Sequence, residues 1–293
     1  MAPTVAPLIY VLLLVVVTAV WGWTFVLVKD AITQYPTLPF LELRFLLAAL
    51  VMAALVHRVP TRRELAVGAA AGTVLAGGYL FQTVGMTTTS PGNAGLITGL
   101  FVVFTPIIDR VFGVAVHKRT VLAVVLALAG TLMLTGGPAG MGVGDALVLV
   151  SAVLYAIHIV LLSRWSPGLR AAPVAMVQMA MCAVIFTAGG TPSLDHLPPA
   201  GVWVAIAITA VFASAVGYYV QTWAQAHLNA SRTALILATE PAWALVASIA
   251  LAGQRLNAIQ ASGAALVLVA IVGHELAPLI GRQRGKNRIG SSP

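Results

Sequence analysis

The sequence predicts an all-α polytopic membrane protein, with ten transmembrane helices arranged as two five-helix repeats of inverted topology. Three observations carry that expectation. Of the 293 residues, 60% are hydrophobic and 8% are charged, whereas a soluble domain carries about 25% charged residues. The apolar stretches fall into ten runs separated by polar breaks, each close to the roughly 20 residues a helix needs to cross a bilayer. Segments of the first half also recur in the second. The same composition excludes other classes. Sixteen basic against eight acidic residues give a net charge of +8, too sparse in so apolar a chain for the basic face of a nucleic-acid binder. Ten crossings consume roughly 200 residues and leave only short loops. A single cysteine, Cys182, permits neither an intrachain disulfide nor a thiolate metal cluster.

The runs are taken in order. The first, 8–28, has no Lys or Arg before it and no small-x-small site before Trp21-Gly22-Trp23, so it reads as a retained span and not a cleaved leader. Its Trp21 and Thr24 lie one turn apart and face one way; Trp23 reads as an interfacial aromatic. The second, 38–56, contains Arg44, which can hold a carboxylate but lies near the span's outer end, where snorkelling or a pair with Glu42 is favoured. The third, 65–85, carries Gly68-x-x-x-Gly72, a close-packing pattern, and ends on Gly78-Tyr-Leu-Phe-Gln82-Thr, where Tyr79 and Gln82 repeat an aromatic-x-x-polar spacing. The fourth, 94–113, holds Gly95-x-x-x-Gly99, Pro106 and the adjacent Asp109 and Arg110, read as a gate or an interfacial anchor. The fifth, 120–136, is rich in small residues around Gly130. In the sixth, 143–163, Tyr155 and His158 again stand one turn apart, and imidazole can both titrate near neutral pH and donate to a carboxylate. The seventh is 171–188. The eighth, 200–224, ends on Gly217-Tyr-Tyr-Val-Gln221-Thr, with Tyr218 and Gln221 in the same spacing. The ninth, 231–252, places Glu240 near the bilayer midplane, just before Pro241. A carboxylate there is costly unless paired or hydrated, so Glu240 is read as a coupling group or an ammonium partner, with a structural hydrogen bond as the alternative. The tenth, 258–277, contains Gly263.

Orientation follows from the loops. One side collects Arg58, Arg62, Arg63, Lys118, Arg119, Arg164, Arg170, Arg232, Arg282, Arg284, Lys286 and Arg288, twelve in all; the other has Lys29 and Arg255, with Arg44 and Arg110 inside spans. Both termini are therefore expected in the cytoplasm, and the localisation expected is the inner (plasma) membrane of a bacterium.

Gly78–Thr83 and Gly217–Thr222 match at an offset of 139, as do Ala94-Gly-Leu-Ile97 and Thr233-Ala-Leu-Ile236; at an offset of 134, Trp21–Thr24 falls on Tyr155–His158. Apolar composition alone would not supply the shared Gln and Thr. A duplicated five-helix unit enters the membrane inverted in its second copy, because five is odd, and such repeats are typical of secondary transporters. The division expected is 1–137, 138–280 and a basic tail, 281–293. Aligned by prolines, Glu240 faces Thr105 of the first copy.

These residues, Trp21-Gly22, Arg44, Pro106 echoed by Pro241, and Gly130 and Gly263 in the small-residue fifth and tenth helices, resemble the EamA-type members of the drug/metabolite transporter superfamily over about residues 8–277. Within it the chain is most similar to bacterial aromatic amino acid exporters. The resemblance implies a ten-helix carrier working by alternating access and exporting amino acids or related metabolites. Substrate contact is expected from Trp21, Thr24, Tyr79, Gln82, Tyr155, His158, Tyr218 and Gln221. Neither a His-x-x-x-His pair, a His-Glu-x-x-His motif nor a glycine-rich phosphate loop occurs, so no metal, cofactor or enzymatic activity is expected. The partners expected are a small-molecule substrate and the lipid bilayer, with the chain acting as a monomer. A proton-coupled multidrug exporter is the alternative within transport, and an intramembrane lipid-handling enzyme the alternative outside it.

Overall fold

The computed structural model describes residues 6–113, 118–135, 141–189, 197–228, 230–270 and 273. Among them every regular element is helical: α1 (Ala6–Gln34), α2 (Thr37–Leu55), α3 (Arg62–Gly85), α4 (Pro91–Thr98), α5 (Phe101–Val111), α6 (Lys118–Thr135), α7 (Val143–Trp165), α8 (Ala171–Ala188), α9 (Ala200–Ile208), a π-helical segment (Thr209–Val216), α10 (Gly217–Gln225), α11 (Ala230–Leu237) and α12 (Glu240–Ala252). A last helix, α13, spans Ala258–Ala270. Seven segments are long and apolar enough to cross a membrane: α1, α2, α3, α4 with α5, α7, α8, and α9 through α10; α12 and α13 are shorter apolar helices. The basic tail 281–293, most of the loop 114–119 and the junction between 137 and 138 lie outside the described residues, as does all of 271–277 except 273.

Helix starts follow local chemistry. Thr61 and Glu64 form a reciprocal capping box on α3: the Glu64 amide donates to Thr61 Oγ1 at 3.2 Å and the Thr61 amide to Glu64 Oε2 at 2.8 Å. Ser90 caps α4 through the Asn93 amide at 3.2 Å, with Pro91 in the first turn. Pro241 occupies the first turn of α12, where its missing N–H costs no helical bond. Gly253, at φ 63°, ends that helix in the left-handed conformation.

Helix α1 runs past its expected end and takes Lys29 into its last turns, where the ammonium donates to the Met86 and Thr87 carbonyls at 2.5 and 2.9 Å. The fourth and ninth of the expected spans are each interrupted. The first break separates Thr98 from Phe101 and the second Leu237 from Glu240, so both ends of the break recur at the offset of 139 found in the sequence. That register sets Glu240 opposite Phe101, not Thr105, whose hydroxyl donates to the Phe101 carbonyl at 2.7 Å.

Glycines bring the helices together. A methyl group added at Gly68 or Gly72 would lie 2.6 Å from Val177 Cβ or 2.8 Å from Met181 Cβ on α8. Gly95 and Gly99 abut Ala244 and Pro241 of α12, and Gly130 of α6 abuts the Gly263 carbonyl of α13. The two Gly-x-x-x-Gly patterns are thus intramolecular packing surfaces. Cys182 is fully buried at the α8–α3 contact, its Sγ–H donating to the Gly72 carbonyl at 3.4 Å.

Charged residues pair at one end of the bundle. Arg170 binds Glu64 through Nε at 2.8 Å and Nη2 at 2.6 Å. Arg164 of α7 binds Asp109 of α5 at 2.8 Å, so the aspartate's partner is Arg164 and not its neighbour Arg110, which is exposed.

Candidate functional site

Between α1, α2, α3, α7, α10 and the two interrupted spans lies a cavity of about 590 Å³, counting its open mouth. Its walls contain all eight residues expected to contact substrate, Trp21, Thr24, Tyr79, Gln82, Tyr155, His158, Tyr218 and Gln221, together with Arg44 and Glu240. Asp109 and Arg110 do not line it. Sequence reasoning missed Phe25, Thr83, Thr98 and Phe101, which also line it; nothing in an apolar run marks which ring faces inward.

The two Gly-Tyr pairs build the aromatic wall reciprocally. At Gly78 a methyl group would meet the Tyr155 ring at 2.7 Å, and at Gly217 it would meet Trp21 Nε1 at 2.9 Å. Each half of the chain therefore seats an aromatic that the other half supplies. The two tyrosines that follow these glycines touch, Tyr218 OH donating to Tyr79 OH at 3.0 Å. Tyr79 stands edge-on to Tyr155 at 5.8 Å between ring centroids, and Tyr218 lies 5.3 Å from Trp21, distances within the range of favourable aromatic pairs.

Arg44 is interior, which corrects the expectation that it snorkels or pairs with Glu42. It is 2% exposed, its Nε donates to Ser214 Oγ at 3.0 Å and its Nη2 to Tyr79 OH at 3.1 Å. The guanidinium also stands 4.5 Å from the centroid of the Tyr79 ring, a cation–π contact. Glu42 Oε2 has no hydrogen-bond partner. Both Arg44 and Trp21 engage the π-helical segment, since Trp21 Nε1 donates to the Ala213 carbonyl at 2.7 Å; π turns are frequent at functional sites because they re-aim backbone groups.

The glutamines of the two Gly-Tyr-x-x-Gln-Thr segments differ. Gln82 donates to Thr98 Oγ1 at 3.0 Å and accepts from Tyr155 OH at 3.1 Å. Gln221 donates to Gln225 Oε1 at 2.9 Å, but its own carbonyl oxygen is buried without a donor. Glu240, 7% exposed, has no hydrogen bond or ion pair among the described residues. Thr24 spends its hydroxyl on the Trp21 carbonyl at 2.7 Å. His158 Nε2 lies 2.7 Å from Gln178 Oε1. No group of three or more His, Cys, Asp or Glu able to hold a metal occurs among the described residues.

Comparison with known proteins agrees with this architecture. The model of the EamA-like transporter family matches twice, over residues 8–136 and 142–274. An uncharacterized transporter of Archaeoglobus fulgidus is 31% identical over 263 residues, covering 88% of this chain and 83% of its own. The uncharacterized inner membrane transporter YedA of Escherichia coli K12 is 24% identical, covering 86% of each chain. A protein of known crystal structure superposes with a TM-score of 0.67 over 92% of this chain and 97% of its own, at 18% identity, a likeness of fold alone. With both halves matched by the family model, the chain belongs to the EamA-like transporter family.

Proposed function

We propose that this transporter is a secondary carrier that exports amino acids with aromatic or bulky apolar side chains. It works by alternating access between two five-helix halves of inverted topology, residues 1–137 and 138–280. The observation that carries the reading is the cavity's chemistry: the buried guanidinium of Arg44 and the unpartnered carboxylate of Glu240 share a pocket walled by Trp21, Tyr79, Tyr155 and Tyr218. A zwitterion bearing a flat apolar side chain carries the complementary groups.

Several features support two related halves. The breaks in the fourth and ninth spans recur at one offset, Tyr79 meets Tyr218, and Gly78 and Gly217 admit each other's aromatic counterpart. The contact of α2 with α8 is one a pseudo-two-fold axis maps onto itself, and that of α4 with α12 is one it maps onto the contact of α5 with α11. The twelve-to-two distribution of basic residues supports cytoplasmic termini, and the inner-membrane relative supports that location. An alternative, proton-coupled efflux of amphipathic cations, is favoured by one observation, the lack of any partner for Glu240 among the described residues.

Exchange of labelled phenylalanine and leucine in proteoliposomes, with and without a pH gradient, tests the reading. Saturable exchange without a gradient is expected. Efflux of a lipophilic cation driven by the pH gradient, with no amino acid exchange, would replace it by the alternative.

A further inference from the structure

A buried side chain outside the cavity sets the hydrogen-bonding character of one inside it. Gln178 of α8 is fully buried. Its Nε2 lies 3.0 Å from Thr222 Oγ1 and 3.4 Å from the Val174 carbonyl. A backbone carbonyl can only accept, so the amide's NH2 must be on that side and its oxygen must be the atom 2.7 Å from His158 Nε2. An amide oxygen can also only accept, so His158 Nε2 carries the proton. Neutral imidazole has one N–H, which leaves Nδ1 as a bare lone pair. The ring lines the cavity, and Nδ1 has no partner among the described residues. To a solute in the cavity His158 therefore offers an acceptor, the reverse of the donor role that a cavity histidine near a carboxylate suggests.

It shares the cavity with a second acceptor left unsatisfied, Gln221 Oε1, and with the unpartnered carboxyl group of Glu240. Buried acceptors without donors are costly. A bound solute that supplies N–H groups relieves that cost, while one that supplies only acceptors adds to it.

We infer that Gln178 is a positioning residue for substrate selection: by fixing the Nε2–H tautomer of His158, it makes the site demand a primary ammonium group. The inference rests on the reading of this cavity as the substrate site.

Two measurements test it, and their failures are distinct. In protein labelled with 15N-histidine, with the His158 signal identified by its loss in His158→Gln, the unprotonated nitrogen is expected to be Nδ1. A protonated Nδ1 in the wild-type protein overturns the inference whatever the substrate. The second measurement is competitive binding of L-phenylalanine, 2-phenylethylamine, which lacks the carboxylate, and 3-phenylpropanoate, which lacks the amine. The acid without an amine is expected to bind at least about tenfold more weakly than phenylalanine, the worth of one lost buried hydrogen bond. In Gln178→Met, which keeps the side chain's length and removes its acceptor, that ratio should fall at least about threefold, and Gln178→Glu, which still accepts from Nε2–H, should restore it. A ratio unchanged in Gln178→Met, with the variant melting like wild type, overturns the inference. If none of the three probes binds, the aromatic amino acid reading fails, and the tautomer alone then decides the assignment of Gln178.

Discussion

Replacing Gly130 with alanine sets two effects of opposite sign against each other, and the structure says which wins. In an exposed helix interior the change stabilises by about 1 kcal/mol, because alanine loses less backbone entropy. Here the new methyl would lie 2.7 Å from the Gly263 carbonyl oxygen and 2.9 Å from the Val267 amide nitrogen, both backbone atoms of α13. Neither can rotate away, so α6 and α13 must separate along their length. Overpacking of this kind costs about 1–3 kcal/mol, and a backbone-against-backbone clash belongs at the upper end. The net effect is a loss of about 2 kcal/mol, or a fall in melting temperature of about 3 °C for a chain of this size. Gly201, near the start of α9, is the control, since no atom lies within 4 Å of a methyl group added there. Gly201→Ala should hold or raise the melting temperature by the same propensity argument. Thermal unfolding of the purified protein in detergent reads both variants side by side. A Gly130→Ala protein as stable as wild type would refute the close approach of α6 and α13.

Three further outcomes are expected. Glu240→Gln should abolish any stimulation by a pH gradient while sparing exchange if the carboxyl carries the coupling proton, and should weaken phenylalanine binding if it pairs with the substrate's ammonium; wild-type behaviour in both assays would leave Glu240 a structural residue. Arg44→Lys should lower exchange at least tenfold with little change in melting temperature, because an ammonium cannot reproduce the guanidinium's fork toward Ser214 and Tyr79; wild-type exchange would remove Arg44 from the site. A cysteine placed at Arg62 should resist an impermeant thiol reagent added to intact cells and react in inverted vesicles, and labelling from outside would reverse the orientation.

Most of the cavity was legible because the signal was local and repeated. Tyr79 with Gln82 and Tyr218 with Gln221 share a one-turn spacing at equal offsets, and helical geometry then puts each pair on one face. Arg44 misled for a nonlocal reason. Seven residues into α2 it is shallow enough to snorkel, and what holds it inside is Ser214, 170 residues away. Asp109 likewise found its partner in Arg164, 55 residues on, so adjacency to Arg110 carried no information. Gln178 did leave a trace, one polar residue within the apolar run of α8, where polar groups seldom sit without a function. The π-helical segment left none: Thr209–Val216 is ordinary apolar sequence, and its altered winding meets Trp21 and Arg44 from other helices.

The burial of Cys182 makes the wild-type chain a ready background for chemical labelling. The sole thiol of the sequence is sealed between α8 and α3, where a water-soluble maleimide has no path to it. Any cysteine introduced at a loop or a cavity wall would then be the one reporter the reagent meets, so probes and spin labels can be attached singly without first removing a native residue from a tightly packed helix contact.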